Sequence, residues 1–97
     1  MRTIRVMADY GCYPLWEVSS DGLSNINPEE LPISSTLKAR LNLWSQKYEQ
    51  TFDEEYPPDS GFSSLEEEEY FKTEGLLILN DLKLELASQF EIIYSVP

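Results

Sequence analysis

The strongest constraint on the fold is a helical stripe of large apolar residues that stops before a pair of prolines. In SSTLKARLNLWSQKYEQTF, such residues recur at spacings of four, three, four and four positions, which places them on one face of an α-helix. Ser34 or Ser35 can cap its first N–H groups. DEEYPPDSG follows, and its prolines and glycine end the helix. The stripe consists of Leu37, Leu41, Trp44, Tyr48 and Phe52.

A second helix is predicted in SSLEEEEYFKTEGLLILNDLKLELASQF. Ser64 and Glu67 have the spacing of a capping box, and the glutamates of the first turns lie where the helix dipole favours carboxylates. Additional leucines widen the apolar surface, so we expect this helix to be covered on two sides, by the first helix and by a sheet. The predicted inner stripe is Phe71, Gly75, Ile78, Leu82 and Leu86, and the widening residues are Leu76, Leu77, Leu79 and Leu84.

The remaining segments predict strands and one loop. TIRVMAD (3–9) alternates apolar and polar residues and is the first predicted strand. YPLWEVS (13–19) predicts a second strand at an edge of the sheet, because Pro14 has no N–H to donate. Residues 20–32 are rich in turn formers and predict a loop with one helical turn at Pro28–Leu31. EIIYSV (91–96) predicts an apolar strand in an interior position beside the first.

Together these elements predict one α+β domain over residues 1–97, with a small sheet of two or three strands and two antiparallel helices packed on one face. The length suits a single modest core. The N-terminus lacks the apolar run of a signal peptide, and no apolar segment approaches the roughly 18 residues that a membrane span needs. We therefore expect a soluble, cytoplasmic protein.

The residue types present argue against an enzyme. The chain has no histidine and one cysteine, Cys12, so the usual nucleophile and base pairs and the Cys/His zinc sites are excluded. The acids of DEEYPPDSG do not follow the order of a calcium-binding loop. We predict no catalytic residue, no cofactor and no metal site. An enzyme that uses carboxylates stays an alternative, which a deep pocket or a bound metal would support.

The negative charge is confined to one half of the sequence. Residues 1–48 carry five acidic and five basic residues, whereas residues 49–97 carry thirteen acidic residues and only Lys72 and Lys83, which accounts for the whole net charge of −11. A one-sided field steers a basic partner and repels nucleic acid. Direct binding to DNA or RNA is therefore disfavoured, since that affinity depends on Lys and Arg.

The acidic residues on either side of the helical break should crowd one end of the helical pair. A solvated surface is the ordinary interpretation of such a run. The aromatic residues among the acids, however, give the stretch the composition of a protein interface, and carboxylates pair with Arg and Lys. We predict that this end binds a basic protein. The main contact residues would be Asp53, Glu54, Glu55, Tyr56 and Asp59, flanked by Glu66, Glu67 and Glu69.

A second candidate surface lies around the first turn of the chain. It comprises Asp9, Tyr10, Trp16 and Glu17. Trp16 lies beside a strand break and is expected to be only partly buried, although core packing is the alternative interpretation.

Three stretches, VMADYGCYPLW, INPEELPISSTLKARLNLWSQKYEQTFD and DSGF, resemble small acidic bacterial proteins encoded beside polymorphic toxin genes. The functional class that this resemblance suggests is the immunity proteins of contact-dependent growth inhibition. It implies a cytosolic protein that binds one toxin domain, commonly a nuclease, and covers its active or substrate-binding surface. The alternative function is an acidic regulatory protein that mimics nucleic acid and binds basic proteins more broadly.

Overall fold

The chain forms a four-stranded sheet with two long helices. A computed structural model describes residues 2–57, 60–86 and 88–95. The strands are β1 (Arg2–Val6), β2 (Leu15–Ser19), β3 (Gly22–Ile26) and β4 (Phe90–Tyr94), and the helices are α1 (Ser35–Glu49) and α2 (Leu65–Leu86). A short 3₁₀-helix, Pro28–Glu30, precedes α1.

The strands lie in the order β3-β2-β1-β4. β1 pairs antiparallel with β2, and β2 pairs antiparallel with β3. β4 pairs parallel with β1, with Ile4 opposite Ile92. A parallel pair needs a long crossover connection, and here the connection between β1 and β4 includes both helices.

The sheet is larger than predicted, because residues 22–26 form a strand within the predicted loop. Almost every residue of β3 is exposed, so this strand lacks the apolar alternation by which strands are recognised. Because β3 pairs with β2, β3 and not β2 forms this edge of the sheet. β2 pairs on both sides and is not the predicted edge strand, and Pro14 stands just before it. β4 lies beside β1 as predicted, but at an edge of the sheet and not in its interior.

The predicted helical turn is confirmed as the 3₁₀-helix Pro28–Glu30. Asn27 caps it, since its side-chain oxygen accepts a hydrogen bond from the N–H of Glu29 at 3.0 Å.

The first predicted helix is confirmed as α1. Ser34 is its N-cap, with Oγ accepting a hydrogen bond from the N–H of Leu37 at 3.2 Å. The buried part of the stripe is shorter than predicted: Tyr48 is half-buried, and Phe52 lies beyond the helix and is exposed. The buried residues of α1 are Leu37, Leu41 and Trp44.

The second predicted helix is confirmed as α2, and all five residues of its inner stripe are buried. Ser64 Oγ accepts a hydrogen bond from the N–H of Glu67 at 3.2 Å, which is half of a capping box, but the Glu67 carboxylate accepts from Ser63 Oγ. α2 contacts both α1 and β4. Of the four widening leucines only Leu79 is buried; Leu76, Leu77 and Leu84 are 48%, 53% and 81% exposed. The predicted cover by α1 and the sheet is confirmed, but it reaches only the inner side of the helix and leaves these three leucines exposed.

The helices are antiparallel and lie on one face of the sheet. Contacts run from Ser34 with Glu85 to Lys47 with Glu74, so the partner's number falls along α2 as the number rises along α1. In the sheet, Ile4, Val6 and Leu15 are fully buried, whereas the strand residues of opposite alternation beside them are only half-buried: Thr3, Arg5 and Trp16. The helices therefore cover the face that carries Ile4, Val6 and Leu15, and the other face is open.

Side chains of α1 and β4 pack closely against α2 around Gly75. The Trp44 ring stacks on Phe71 with centroids 4.5 Å apart, and its Nε1–H donates a hydrogen bond to the backbone oxygen of Phe71 at 2.9 Å. Gly75 permits this close approach, because a Cβ there would lie 2.5 Å from Tyr94 Oη and 2.8 Å from Trp44 Cζ2.

Gly75→Ala should therefore destabilise the protein. Overpacking of a filled site costs more than the gain in helix propensity returns, so we expect a net loss of about 1–2 kcal/mol in the free energy of unfolding. Urea denaturation followed by circular dichroism measures it. Gly61→Ala is the matched control, since a Cβ there meets no atom within 4 Å. Equal stabilities of the two variants would contradict the close packing at Gly75.

Candidate partner-binding surface

The end of the molecule where α1 finishes and α2 begins carries most of the excess negative charge. Residues 49–71 contain nine acidic residues and no basic one. Because the helices are antiparallel, the last turn of α1, the connecting loop and the first turn of α2 share this end. We call the described residues of this segment, 49–57 and 60–71, the acidic end. Asp59, one of the predicted contact residues, lies outside the described residues.

Asp53 organises the connecting loop. Its Oδ1 accepts hydrogen bonds from the N–H groups of Glu55 and Tyr56, both at 3.0 Å, and its own N–H donates to Ser60 Oγ at 2.8 Å. Glu54, Glu55 and Tyr56 are exposed. The loop thus holds two carboxylates and one aromatic ring in solvent on a backbone that Asp53 braces.

The first turns of α2 add further carboxylates. Glu66, Glu67 and Glu69 are exposed, and Glu68 pairs with Lys72 at 3.4 Å. The structure therefore brings these predicted flanking residues to the same end as Asp53, Glu54, Glu55 and Tyr56.

A solvent-open cleft of about 720 Å³ lies between the end of α1 and the start of α2. Phe71 and Phe62 contribute aromatic surface, and Glu66 and Glu67 contribute carboxylates. Lys47 also lines it, with Nζ 4.6 Å from the centroid of the Tyr70 ring and paired with Glu74. Sequence reasoning missed Lys47, because only the antiparallel pairing of the helices brings this residue against α2. The cleft combines aromatic and acidic surfaces, which suits a basic side chain.

The loop between β1 and β2 joins the acidic end. Tyr10 stacks on Tyr48 with centroids 4.5 Å apart, and its hydroxyl lies 2.6 Å from Thr51 Oγ1. The N–H of Gly11 donates a hydrogen bond to the Glu49 carboxylate at 2.5 Å. Gly11 adopts a φ of 71°, which glycine tolerates without strain. Asp9 precedes this contact, so Asp9 and Tyr10 lie beside the C-terminal end of α1.

Trp16 and Glu17 lie elsewhere. Trp16 is half-buried on the open face of the sheet, and its Nε1–H donates to the backbone oxygen of Met7 at 2.9 Å. Glu17 has the opposite alternation and makes a bidentate pair with Arg2, with distances of 2.7 and 2.8 Å. Hydrogen bonding to Arg2 lowers the pKa of Glu17. The second candidate surface is therefore divided: Asp9 and Tyr10 lie together beside α1, whereas Trp16 and Glu17 lie on opposite faces of β2.

The pKa of Tyr48, next to the acidic end, is raised. Burial raises the pKa of Tyr48, and the nearby Tyr10, Asp9 and Glu49 raise it further. These groups oppose a phenolate charge at Tyr48. The shift reflects how closely the first loop packs on α1.

This shift predicts how stability changes at high pH. Because the pKa of Tyr48 is raised in the folded state above its ordinary value of 10.0, the unfolded chain loses the proton first, and deprotonation favours unfolding. The contribution is complete below pH 10 and is lost as the pH rises through the folded-state pKa. Tyr48→Phe should make the decrease in melting temperature above pH 10 shallower. Identical decreases in the variant and the original protein would contradict this assignment.

The described residues contain no group of three or more His, Cys, Asp or Glu side chains that could hold a metal ion. None of their helices has the length and apolar character to cross a membrane.

Comparison with known proteins identifies the family. No curated protein matches the chain. A family model described as Serratia CdiI immunity protein-like matches residues 2–97. The match includes every strand and helix of the fold and extends beyond the first 62 residues in which the sequence resemblance lay. The chain therefore belongs to the Serratia CdiI immunity protein-like family, a group of immunity proteins of contact-dependent growth inhibition.

Proposed function

We propose that this immunity protein neutralises a basic nuclease toxin in the cytoplasm by placing its acidic end over the active or substrate-binding surface of the toxin. Membership of the family implies that the protein binds a cognate toxin. The chemistry of the toxin and the surface that binds it are our proposal.

The observation that supports the proposal is the concentration of charge at one end. The eight described acidic residues of the acidic end have no basic residue among them, and the packing of Tyr10 on Tyr48 brings Asp9 beside them. A nuclease holds the phosphates of its substrate with Lys and Arg. Carboxylates are suited to bind those same side chains.

The connecting loop is suited to contact a partner because it is already organised. Asp53 fixes the backbone that presents Glu54, Glu55 and Tyr56. A braced loop loses less conformational entropy on binding than a free one. Tyr56 is 59% exposed, and tyrosine is among the residues that contribute most to binding energy when an interface buries them.

Neutralisation should be fast as well as tight. Complementary charge raises association rate constants toward about 10⁸ M⁻¹s⁻¹ at low salt, and salt screens this effect. For a protein that must bind a toxin before the toxin damages the cell, rapid association is a direct advantage.

The double substitution Glu54→Lys/Glu55→Lys should slow association with the cognate toxin domain. Both side chains are exposed, so the fold should be retained while the local field reverses. We expect the association rate constant to fall about 10- to 100-fold at low salt, with a smaller difference at high salt. Stopped-flow or surface plasmon resonance measures it, and a nuclease assay tests protection.

Asp21→Lys/Glu91→Lys is the matched control. It changes the net charge equally, at exposed positions on the sheet end opposite Asp9 and Tyr10. Equal slowing by both double variants would mean that only net charge matters and would refute a localised contact. Inhibition of an unrelated basic nuclease by the original protein would favour the broader nucleic-acid mimic.

Tyr56→Ala should act mainly on dissociation. Truncation of a buried interface tyrosine typically costs about 1–2 kcal/mol or more, so we expect the complex to dissociate about 10-fold faster with little change in association rate. Tyr13→Ala is the control, because Tyr13 is also exposed but its backbone is hydrogen-bonded to the Asn25 side chain of β3, away from the acidic end. Unchanged dissociation would place Tyr56 outside the interface.

A further inference from the structure

The outer side of α2 carries a stripe of exposed apolar residues that neither α1 nor the sheet covers. Tyr70, Leu77 and Leu84 are 59%, 53% and 81% exposed. They are spaced by seven positions, so they lie in one line along the helix. We call these three residues the outer stripe. Seven-residue spacing is typical of a helix that packs along another helix.

On the side of the outer stripe that faces α1, the charges are already neutralised. Arg40 pairs with Asp81, and Lys47 pairs with Glu74. A second helix approaching this flank would therefore meet no net charge from these pairs.

On the other side of the outer stripe, one acidic and one basic residue lie at equal distances along the helix from Leu76. Glu69 lies seven residues before this exposed leucine and Lys83 lies seven residues after it. Both charged residues are exposed, and neither forms an ion pair with another residue in the described part of the chain. Positions seven apart lie on the same face of a helix, so these two charges flank the outer stripe on one side.

We infer that the outer stripe binds a second copy of this chain, with the two α2 helices antiparallel about a two-fold axis near Leu76. In this arrangement Glu69 of each copy faces Lys83 of the other, so two ion pairs form. Leu76 faces its own equivalent, and the outer stripes pack together. A parallel pair would place Glu69 against Glu69 and Lys83 against Lys83, which is repulsive.

The same geometry keeps the two acidic ends apart. At 1.5 Å per residue, antiparallel helices centred on Leu76 separate the two Glu66 residues by about 30 Å. This exceeds the Debye length of about 8 Å at physiological ionic strength, so repulsion between the acidic ends is largely screened. A chain of net charge −11 can thus associate through this face.

The dimer should be weak. One pair of helices buries less surface than a standard interface, and Thr73 and Asn80 lie between the apolar positions of the outer stripe. Polar residues in a helical seam lower stability while they fix orientation. We expect a dissociation constant on the order of micromolar.

Charge exchange tests the arrangement directly. Sedimentation velocity of the full chain across a concentration series should show a reversible monomer–dimer equilibrium. Glu69→Lys alone and Lys83→Glu alone each place like charges opposite one another, and each should weaken the homodimer about 10-fold. An equimolar mixture of the two variants should recover association, because the copies are then complementary. Failure of the mixture to associate more tightly than either variant would overturn the antiparallel pairing.

Leu77→Glu tests the stripe itself. It should leave the chain monomeric with an unchanged far-ultraviolet circular dichroism spectrum, whereas Leu23→Glu, at an exposed position on β3, should leave the dimer intact. Association is measured without toxin, so the result does not depend on the proposed function. A chain that is monomeric at every concentration would overturn the proposal, and loss of toxin binding by Leu77→Glu would then assign the stripe to the toxin.

Discussion

The structure depends on the contact between Trp44 and Phe71. This pair holds α1 against α2 close to the end where their charges repel, through a stacked ring contact at 4.5 Å and a hydrogen bond from the indole to the Phe71 backbone. Both residues are almost completely buried. Removal of the Trp44 side chain would open a large cavity, and such losses cost about 3–5 kcal/mol, a large part of the stability of a small domain. The position of the acidic end therefore rests on apolar packing.

Several local interactions reduce the repulsion between the carboxylates at that end. Ser64 caps α2, whose positive dipole end favours the glutamates of the first turn. Lys72 pairs with Glu68, and Lys47 pairs with Glu74 just beyond the cleft. Asp53 is occupied by loop hydrogen bonds. The carboxylates that remain, Glu54 and Glu55 among them, are exposed and solvated. The fold thus tolerates the charge by leaving part of it in water, where a partner can reach it.

The sequence predicted the elements whose periodicity is strong and missed those that depend on contacts between distant segments. The stripes of α1 and α2 and the alternation of β1 were sufficient for those elements. β3 escaped prediction because Gly22, Leu23, Ser24 and Asn25 are exposed and show no alternation. Burial of Leu76, Leu77 and Leu84 was overestimated because an apolar residue on a helix does not reveal whether a neighbour covers it.

The candidate surface was likewise predicted only where the signal is local in the sequence. The charge asymmetry and the helical break located the acidic end, but the stacking of Tyr10 on Tyr48 joins residues 38 positions apart and leaves no local signal. The separation of Trp16 from Glu17 is predictable from the sequence, because successive residues of a strand point to opposite faces. Applied to the predicted strand 13–19, that rule places Trp16 and Glu17 on opposite faces.

The parallel pairing of β1 with β4 affects how the candidate binding surface forms during folding. The helical hairpin joins neighbouring segments and can form early, whereas the sheet must close a loop that spans nearly the whole chain, which slows folding. The Asp9–Gly11 loop follows directly from β1. A helical hairpin excised from the protein would keep most of the carboxylates but lose the aromatic support of Tyr10 and the rigid base of the sheet, so it would be a poor substitute for the intact inhibitor.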